Sequence, residues 1–406
     1  MDFFASWGED VHRLGLAEAY QPTPDSYLPA AYQVFGLTAG LARTFDLSTI
    51  VALKAVNLAF DTGTLLVLIA LLRHWKLPVA YALIYWLNPY FIVTNWLGYA
   101  DFIPAFFVLL SLVLLGRART LLGTAVAGLP LGIAAAMKPQ PILLVALLGA
   151  FVVVRTVRAR RIETDDQAMR AGVLMAGSVA VFAAYSAFFI AHGKSVLFLV
   201  RSYLEVGGDA RAPLTGNMPN IWYPVADFYA KRGQPIADVF EPKVFHNVAA
   251  MVTFGVFLFV ATRIVSGSDR RPIQLSVVLL FTAGVAILPM LMTRAHENHF
   301  FLAGTLGVLL VALVRDPLLT VLLNALLVIQ GFHMYGLYGL GENRRSLALN
   351  VRFGIPTYAY DKPWMQTVLA CITTALFAAA AYRLVTSGRL ERAGATMALL
   401  NAEQER

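Results

Sequence analysis

The sequence is a succession of apolar blocks whose lengths approach the thickness of a lipid bilayer. A hydrocarbon core needs about 20 helical residues to cross it, fewer where a helix is half-buried in a bundle. Eleven blocks qualify, at about 50–72, 77–95, 102–116, 121–137, 140–157, 171–191, 247–265, 273–292, 300–314, 317–335 and 365–385. Of the 406 residues, 58% are hydrophobic and 14% charged. A soluble domain has about 45–50% and about 25%. These proportions exclude a disordered chain, a disulfide-built secreted scaffold and an ordinary cytosolic enzyme. The one cysteine, Cys371, has no partner for an internal disulfide.

The pattern predicts an all-α, polytopic membrane helix bundle, a single integral-membrane domain over 1–406. Basic residues orient it, because short cytoplasmic loops collect Lys and Arg. One loop series is short and basic: 73–76, 117–119, 155–170, 263–271, 315 and 383–392. The other holds 1–49, 96–101, 192–246, 293–299 and 336–364, and is read as external. The external series carries fifteen of the 24 Asp and Glu residues, so chemistry is expected on the outer face. The net charge of +8 follows from orientation, since no concentrated basic face suggests nucleic acid. Eleven spans with an internal C-terminus place the N-terminus outside, yet residues 1–15 contain no signal peptide. A further helix is therefore expected upstream, the alternative being that the first external segment crosses by another route. Residues 27–49 suit an amphipathic juxtamembrane helix better than a span.

Four polar constellations lie in the external series, and a fifth, Lys138–Pro141, stands at the external end of a span. Asp2 and Trp7 join carboxylates to aromatics, a combination suited to sugars, which stack on rings and donate hydroxyls to acids; a solvated tail is the alternative. Asp101, in Gly98-Tyr99-Ala100-Asp101, stands where a carboxylate is costly without a role, or caps a helix. Lys138-Pro139-Gln140-Pro141 fixes a cation on a stiff turn, for a lipid phosphate or for simple snorkelling. Arg294-Ala295-His296-Glu297-Asn298-His299 offers a guanidinium clamp for phosphate. Its His spacing is not the i, i+4 pair of a helical zinc site, and no metal site is assigned. The long external loop holds Asn217, Asn220 and Trp222, a polar-headgroup contact or a turn over an aromatic anchor. Within a span, Lys54, Asn57 and Asp61 are read as a structural polar track. Phosphate-binding Gly-Lys-Ser/Thr loops, dinucleotide Gly-x-Gly-x-x-Gly motifs and nucleophile elbows are absent.

The order of these features resembles the GT-C superfamily of integral-membrane glycosyltransferases that use polyprenyl-phosphate sugars, bacterial mannosyl- and glucosyltransferases in particular. The likeness runs over roughly residues 2–300. It rests on Asp2, Trp7, Gly15, Tyr20 and Asp25-Ser26-Tyr27-Leu28-Pro29, then Lys54 with Asn57 and Asp61, then Asn88-Pro89 with Gly98 and Asp101. Lys138-Pro139-Gln140-Pro141, Asn220-Ile221-Trp222 and Arg294-Ala295-His296-Glu297 complete it. Two departures stand out: the first family helix is absent, and Asn298-His299 replaces the family's closing Arg-Tyr. The resemblance implies transfer of a hexose, mannose or glucose, from a polyprenyl-phosphate donor to an acceptor hydroxyl of a glycan, glycolipid or protein. The transfer would invert the anomeric centre at the external face of a bacterial inner membrane. It assigns Asp2 or Asp101 as catalytic base. Lys138, Arg294 and His296 would take the donor phosphate, and Trp7, Gln140, Asn220, Trp222 and Glu297 would contact substrate. No cofactor is assigned beyond the lipid-linked donor, a divalent cation being compatible. The rival readings are a transporter or flippase and a lipid-linked-oligosaccharide ligase or polymerase.

Overall fold

A computed structural model describes residues 2–23, 27–159, 165–206, 215, 218–230, 239, 243–266, 272–339, 363–390 and 393–395. All regular structure among them is helical. Among the described residues seven helices are long and apolar enough to cross a membrane. They are α4 (Thr49–His74), α9 (Pro139–Ala159), α10 (Asp166–Ala191), α13 (Lys243–Ser266), α14 (Ile273–Leu291), α16 (Pro317–Gly339) and α17 (Pro363–Thr386). Three shorter apolar helices join them, α7 (Phe102–Arg117), α8 (Leu121–Ala135) and α15 (Phe301–Val314). The chain is an integral, multi-pass membrane protein.

The fold divides into two compact units, 1–71 with 98–210, and 72–97 with 211–406. In the first unit the juxtamembrane segment is a helical pair, α1 (Asp2–Leu14) and α3 (Pro29–Thr44), with the short α2 (Leu16–Ala19) between them. Glycines set the approach of the pair: a Cβ on Gly8 would lie 2.5 Å from the Phe35 carbonyl oxygen. Phe4, Trp7, Tyr27, Tyr32 and Phe35 fill the interface with mutually stacked and edge-on rings. Glu9 accepts from Arg43 at 2.5 Å and from Thr49 at 2.8 Å, which fastens α1 to both following helices. Those bonds, the Arg43 one foremost, hold its carboxyl below the usual range.

Small residues also govern α8 against α10. A Cβ on Gly128 would sit 2.1 Å from Leu174 O, and one on Gly177 2.0 Å from Ala125 O. Gly128 and Gly132 form a small-x-x-x-small stripe, which lets membrane helices bring their backbones together. Ser178 Oγ donates to Gly128 O at 3.0 Å across that contact. On the other side of α8, Ser111 Oγ of α7 donates to Ala127 O at 2.7 Å.

In the second unit the block predicted at 77–95 is not one continuous helix. It is a 3-10 turn (Val79–Tyr81), then α5 (Ala82–Leu87) and α6 (Pro89–Leu97), interrupted at Asn88-Pro89. Pro89 has no N–H to continue the ladder, and Asn88 Oδ1 accepts instead from Tyr90 N at 3.0 Å. Gly331 of α16 admits this break, for a Cβ there would meet Tyr90 N at 2.5 Å. Every residue of α15 is buried. At the predicted cytoplasmic end, Asp316 caps α16 by accepting from Leu318 N and Leu319 N. Its other oxygen accepts from Arg383 Nε at 2.9 Å and lies 3.3 Å from Arg389 Nε. In the first unit, Asp165 similarly caps α10 and accepts from Arg155 at 2.7 Å. Asp165 and Asp316, in the basic loops, are thus helix caps with their own guanidinium partners.

Candidate functional site

In the first unit the predicted site residues Asp101 and Lys138 come together. Lys138 follows α8 in a tight turn whose N–H groups bond back to Ala134 O. The carbonyls that end α8 are met by the chain entering α3: Leu28 N donates to Met137 O at 3.1 Å and Ala30 N to Ala136 O at 3.0 Å. Tyr203, on α11 (Phe198–Val206), donates its hydroxyl to Ala135 O. Leu28 and Ala30 therefore carry Tyr27 to the Lys138 ammonium, which lies 5.5 Å from the ring centroid.

Asp101 comes from the turn between α6 and α7. That turn needs Gly98, whose φ of 76° suits a residue without Cβ. Asn57 of α4 holds it, donating to Gly98 O at 3.3 Å and Tyr99 O at 3.4 Å. Asp101 sits at the N-cap of α7 but makes no capping bond. Its Oδ1 accepts from Lys138 Nζ at 2.5 Å. Asp101 is 3% exposed and Lys138 7%, so the pair is desolvated. Burial, and then the Asp101 charge, push the Tyr27 hydroxyl well above the ordinary phenol range, which keeps it a neutral donor. Two residues along the chain from Lys138, the Gln140 amide nitrogen is buried with no hydrogen-bond partner. Trp7 is stacked on Tyr32 at 5.1 Å within the α1–α3 aromatic cluster. Asp2 opens α1, and its side chain lies outside the described residues. Asn57 and Asp61 are buried, whereas Lys54 is exposed, so the three do not form the continuous track expected.

The remaining predicted residues belong to the second unit. α14 ends at Leu291, just past Pro289, and the carbonyls left unpaired at that end have dedicated donors. Asn220 Nδ2 donates to Pro289 O at 2.9 Å and Met292 O at 3.1 Å. Trp222 Nε1 donates to Leu291 O at 2.7 Å. Asn220 Oδ1 accepts from Trp222 N, starting the turn into α12 (Tyr223–Tyr229). Both side chains are engaged in anchoring the long external loop to α14. Arg294 follows, with a left-handed φ of 60°, costly for a residue with a Cβ. Its neighbours are fixed: Thr293 bonds His246 at 3.0 Å, and Ala295 O accepts from Met218 N at 3.2 Å. His296 and His299 form a reciprocal cap, each ring accepting from the other's backbone N–H. Glu297 starts that 3-10 turn, and its side chain lies outside the described residues, as does Asn217. Among the described residues no cluster of three or more His, Cys, Asp or Glu could hold a metal ion.

Tyr27 was legible in sequence only as part of the Asp25–Pro29 motif, with no role at the site. Its signal was positional: it precedes Leu28-Pro29 at the opening of α3, and only the pairing with residues 136–138 makes it a neighbour of Lys138.

The chain is similar to the family GPI transamidase subunit PIG-U over residues 37–226, just under half of the length. The matched stretch includes Asp101, Lys138, Gln140, Asn220 and Trp222. That family provides a membrane subunit of the enzyme that attaches proteins to GPI anchors. No curated protein and no solved structure matches.

Proposed function

We propose that this protein is a membrane glycosyltransferase that moves a hexose from a polyprenyl-phosphate donor to an acceptor hydroxyl at the outer face. The observation that carries the reading is the buried Asp101–Lys138 pair beneath Tyr27. An acceptor oxygen attacks the anomeric carbon while Asp101 takes its proton. The bond from that carbon to the phosphate oxygen breaks on the opposite face, giving inversion, and polyprenyl phosphate leaves with the bonding electrons. The Lys138 ammonium offsets the charge on the leaving phosphate, and Gln140 supplies a free amide N–H. The partly exposed rings of Trp7 and Tyr27 suit a sugar face. In the second unit, Arg294 and His296 are proposed separately as anion contacts. Purified protein given radiolabelled polyprenyl-phosphate mannose or glucose and an endogenous lipid extract should label a glycolipid product. Labelling should vanish in Asp101→Asn, and full activity in that variant would sink the assignment.

The PIG-U match favours a second reading, in which the same pair recognises the glycan of a GPI-like lipid as a non-catalytic subunit of a larger enzyme. That reading expects glycolipid binding sensitive to Lys138→Met, co-purifying subunits, and no transfer by the chain alone.

A further inference from the structure

Away from that site, α16 and α17 run antiparallel in the second unit, and two independent contacts fix their register. Asp316 pairs with Arg383 at one end. Toward the other, Tyr223 of α12 has its ring edge-on to His333 at 5.9 Å, while its hydroxyl donates to Gln366. Both contacts give one alignment, which places Gln330 opposite residue 369 and Thr373 one helical turn away, about 6 Å along the seam.

Gln330 is 0% exposed, and both its amide oxygen and amide nitrogen lack a hydrogen-bond partner. Thr373 is also 0% exposed, and its hydroxyl lacks a partner too. Three unmet polar atoms thus face one seam, about 20 Å from the Pro317 end of α16. In a membrane interior such atoms are costly, and water cannot reach them from lipid. On the helical wheel, Gln330 lies between Met334, whose sulfur accepts from Thr94, and His333, which meets Tyr223. Gln330 therefore points into the corner that α12 covers.

We propose that the α16–α17 seam beneath α12 is a binding site for a neutral hydroxyl group. Its oxygen accepts from Gln330 Nε2, its O–H donates to Gln330 Oε1, and the Thr373 hydroxyl provides the third contact. A donor and an acceptor side by side on one amide complement a hydroxyl and do not favour an ion. The described seam is closed over these atoms, so the occupant enters when α12 lifts from α17, breaking the Tyr223–Gln366 and Thr367–Asp227 bonds. The hydroxyl has two sources, a buried water or the sugar of a membrane glycolipid. The site stands independently of the transfer chemistry at Asp101.

Hydroxyl-radical labelling by X-ray radiolysis, on the full chain in nanodiscs, tests this, because bound water marks adjacent side chains. Met334 and Tyr223 are the reporters. The wild type should be modified at one or both, and Gln330→Leu at least fivefold less. Thr373→Val should give a loss of at least twofold, which guards against misfolding of the first variant. Octyl glucoside below its micelle concentration is the second arm. Fivefold suppression of wild-type labelling identifies a sugar occupant, and no suppression identifies water. Labelling that persists in both variants, or that is absent from the wild type, overturns the site.

Discussion

The Lys138 ammonium meets the Asp101 carboxylate at 2.5 Å inside the first unit, across 37 residues of chain and two different turns. Such a pair is poor evidence of stability, since desolvation of both charges offsets much of the attraction. Breaking it is another matter. Asp101→Asn or Lys138→Met alone leaves a buried charge and should cost roughly 3–5 kcal/mol. The double variant should recover most of that loss. Melting temperatures of the four proteins in one detergent measure the coupling. If the pair were only structural, the double variant would regain function along with stability. We expect it to stay inactive.

The α8–α10 contact gives a packing test. A side chain at Gly177 meets the Ala125 carbonyl, a backbone atom that cannot swing aside. Gly177→Val should therefore separate the helices and destabilise by about 3 kcal/mol or more. Gly255→Ala in α13, where an added Cβ meets nothing within 4 Å, is the control. It should be neutral or stabilise by up to ~1 kcal/mol through helix propensity. Comparable losses in both would show that helix–helix approach is not the controlling term.

Asn220 and Trp222 separate anchoring from sugar contact. Trp222→Phe removes one hydrogen bond to Leu291 O, worth about 1 kcal/mol. Asn220→Ala strands two carbonyls and should cost more, about 1–3 kcal/mol for each that stays dry. Thermal stability should fall in that order while the apparent KM for the lipid-linked donor stays unchanged. A raised KM at wild-type stability would restore these residues to substrate contact.

These contrasts show what the sequence made legible. Runs of about 20 apolar residues dictate helices in lipid because the backbone has no other partner there. Blocks such as 50–72 and 171–191 therefore reappear as α4 and α10 with little change. The break at Asn88-Pro89 was visible as a motif, but apolarity alone reads through it. Within the site, Asp101 and Lys138 were legible singly, as charges too close to apolar blocks to be idle. Their pairing was not, because it depends on the Gly98 turn and on Leu28 bonding to Met137. The bonds of Asn220 and Trp222 to the end of α14 were not legible, because carbonyls left unpaired at a helix end leave no mark in sequence. The small-residue stripe Gly128–Gly132 was present and passed unread, since its meaning lies in the helix opposite.

Asp316 supplies the pH test. Burial works to raise its pKa. The Leu319 N–H, the Arg383 and Arg389 charges and the Arg383 hydrogen bond outweigh that and hold it below 3.8. A carboxyl depressed in the folded state stabilises the fold fully above its unfolded pKa, about 3.9. That stability is lost as pH falls through the lower folded value. Asp316→Asn keeps an amide oxygen able to cap α16 but removes the charge that holds Arg383 and Arg389. At pH 7 the variant should melt below the wild type, by a margin reflecting charge-assisted hydrogen bonds of about 1.5–3 kcal/mol each. As pH is lowered from 5 to 3 the two melting temperatures should converge, because protonated Asp316 also lacks the charge. Glu9 and Asp165, both depressed as well, act equally in the two proteins and cancel in the difference. A gap between wild type and variant that stays constant from pH 7 to pH 3 would show that Asp316 acts through shape alone.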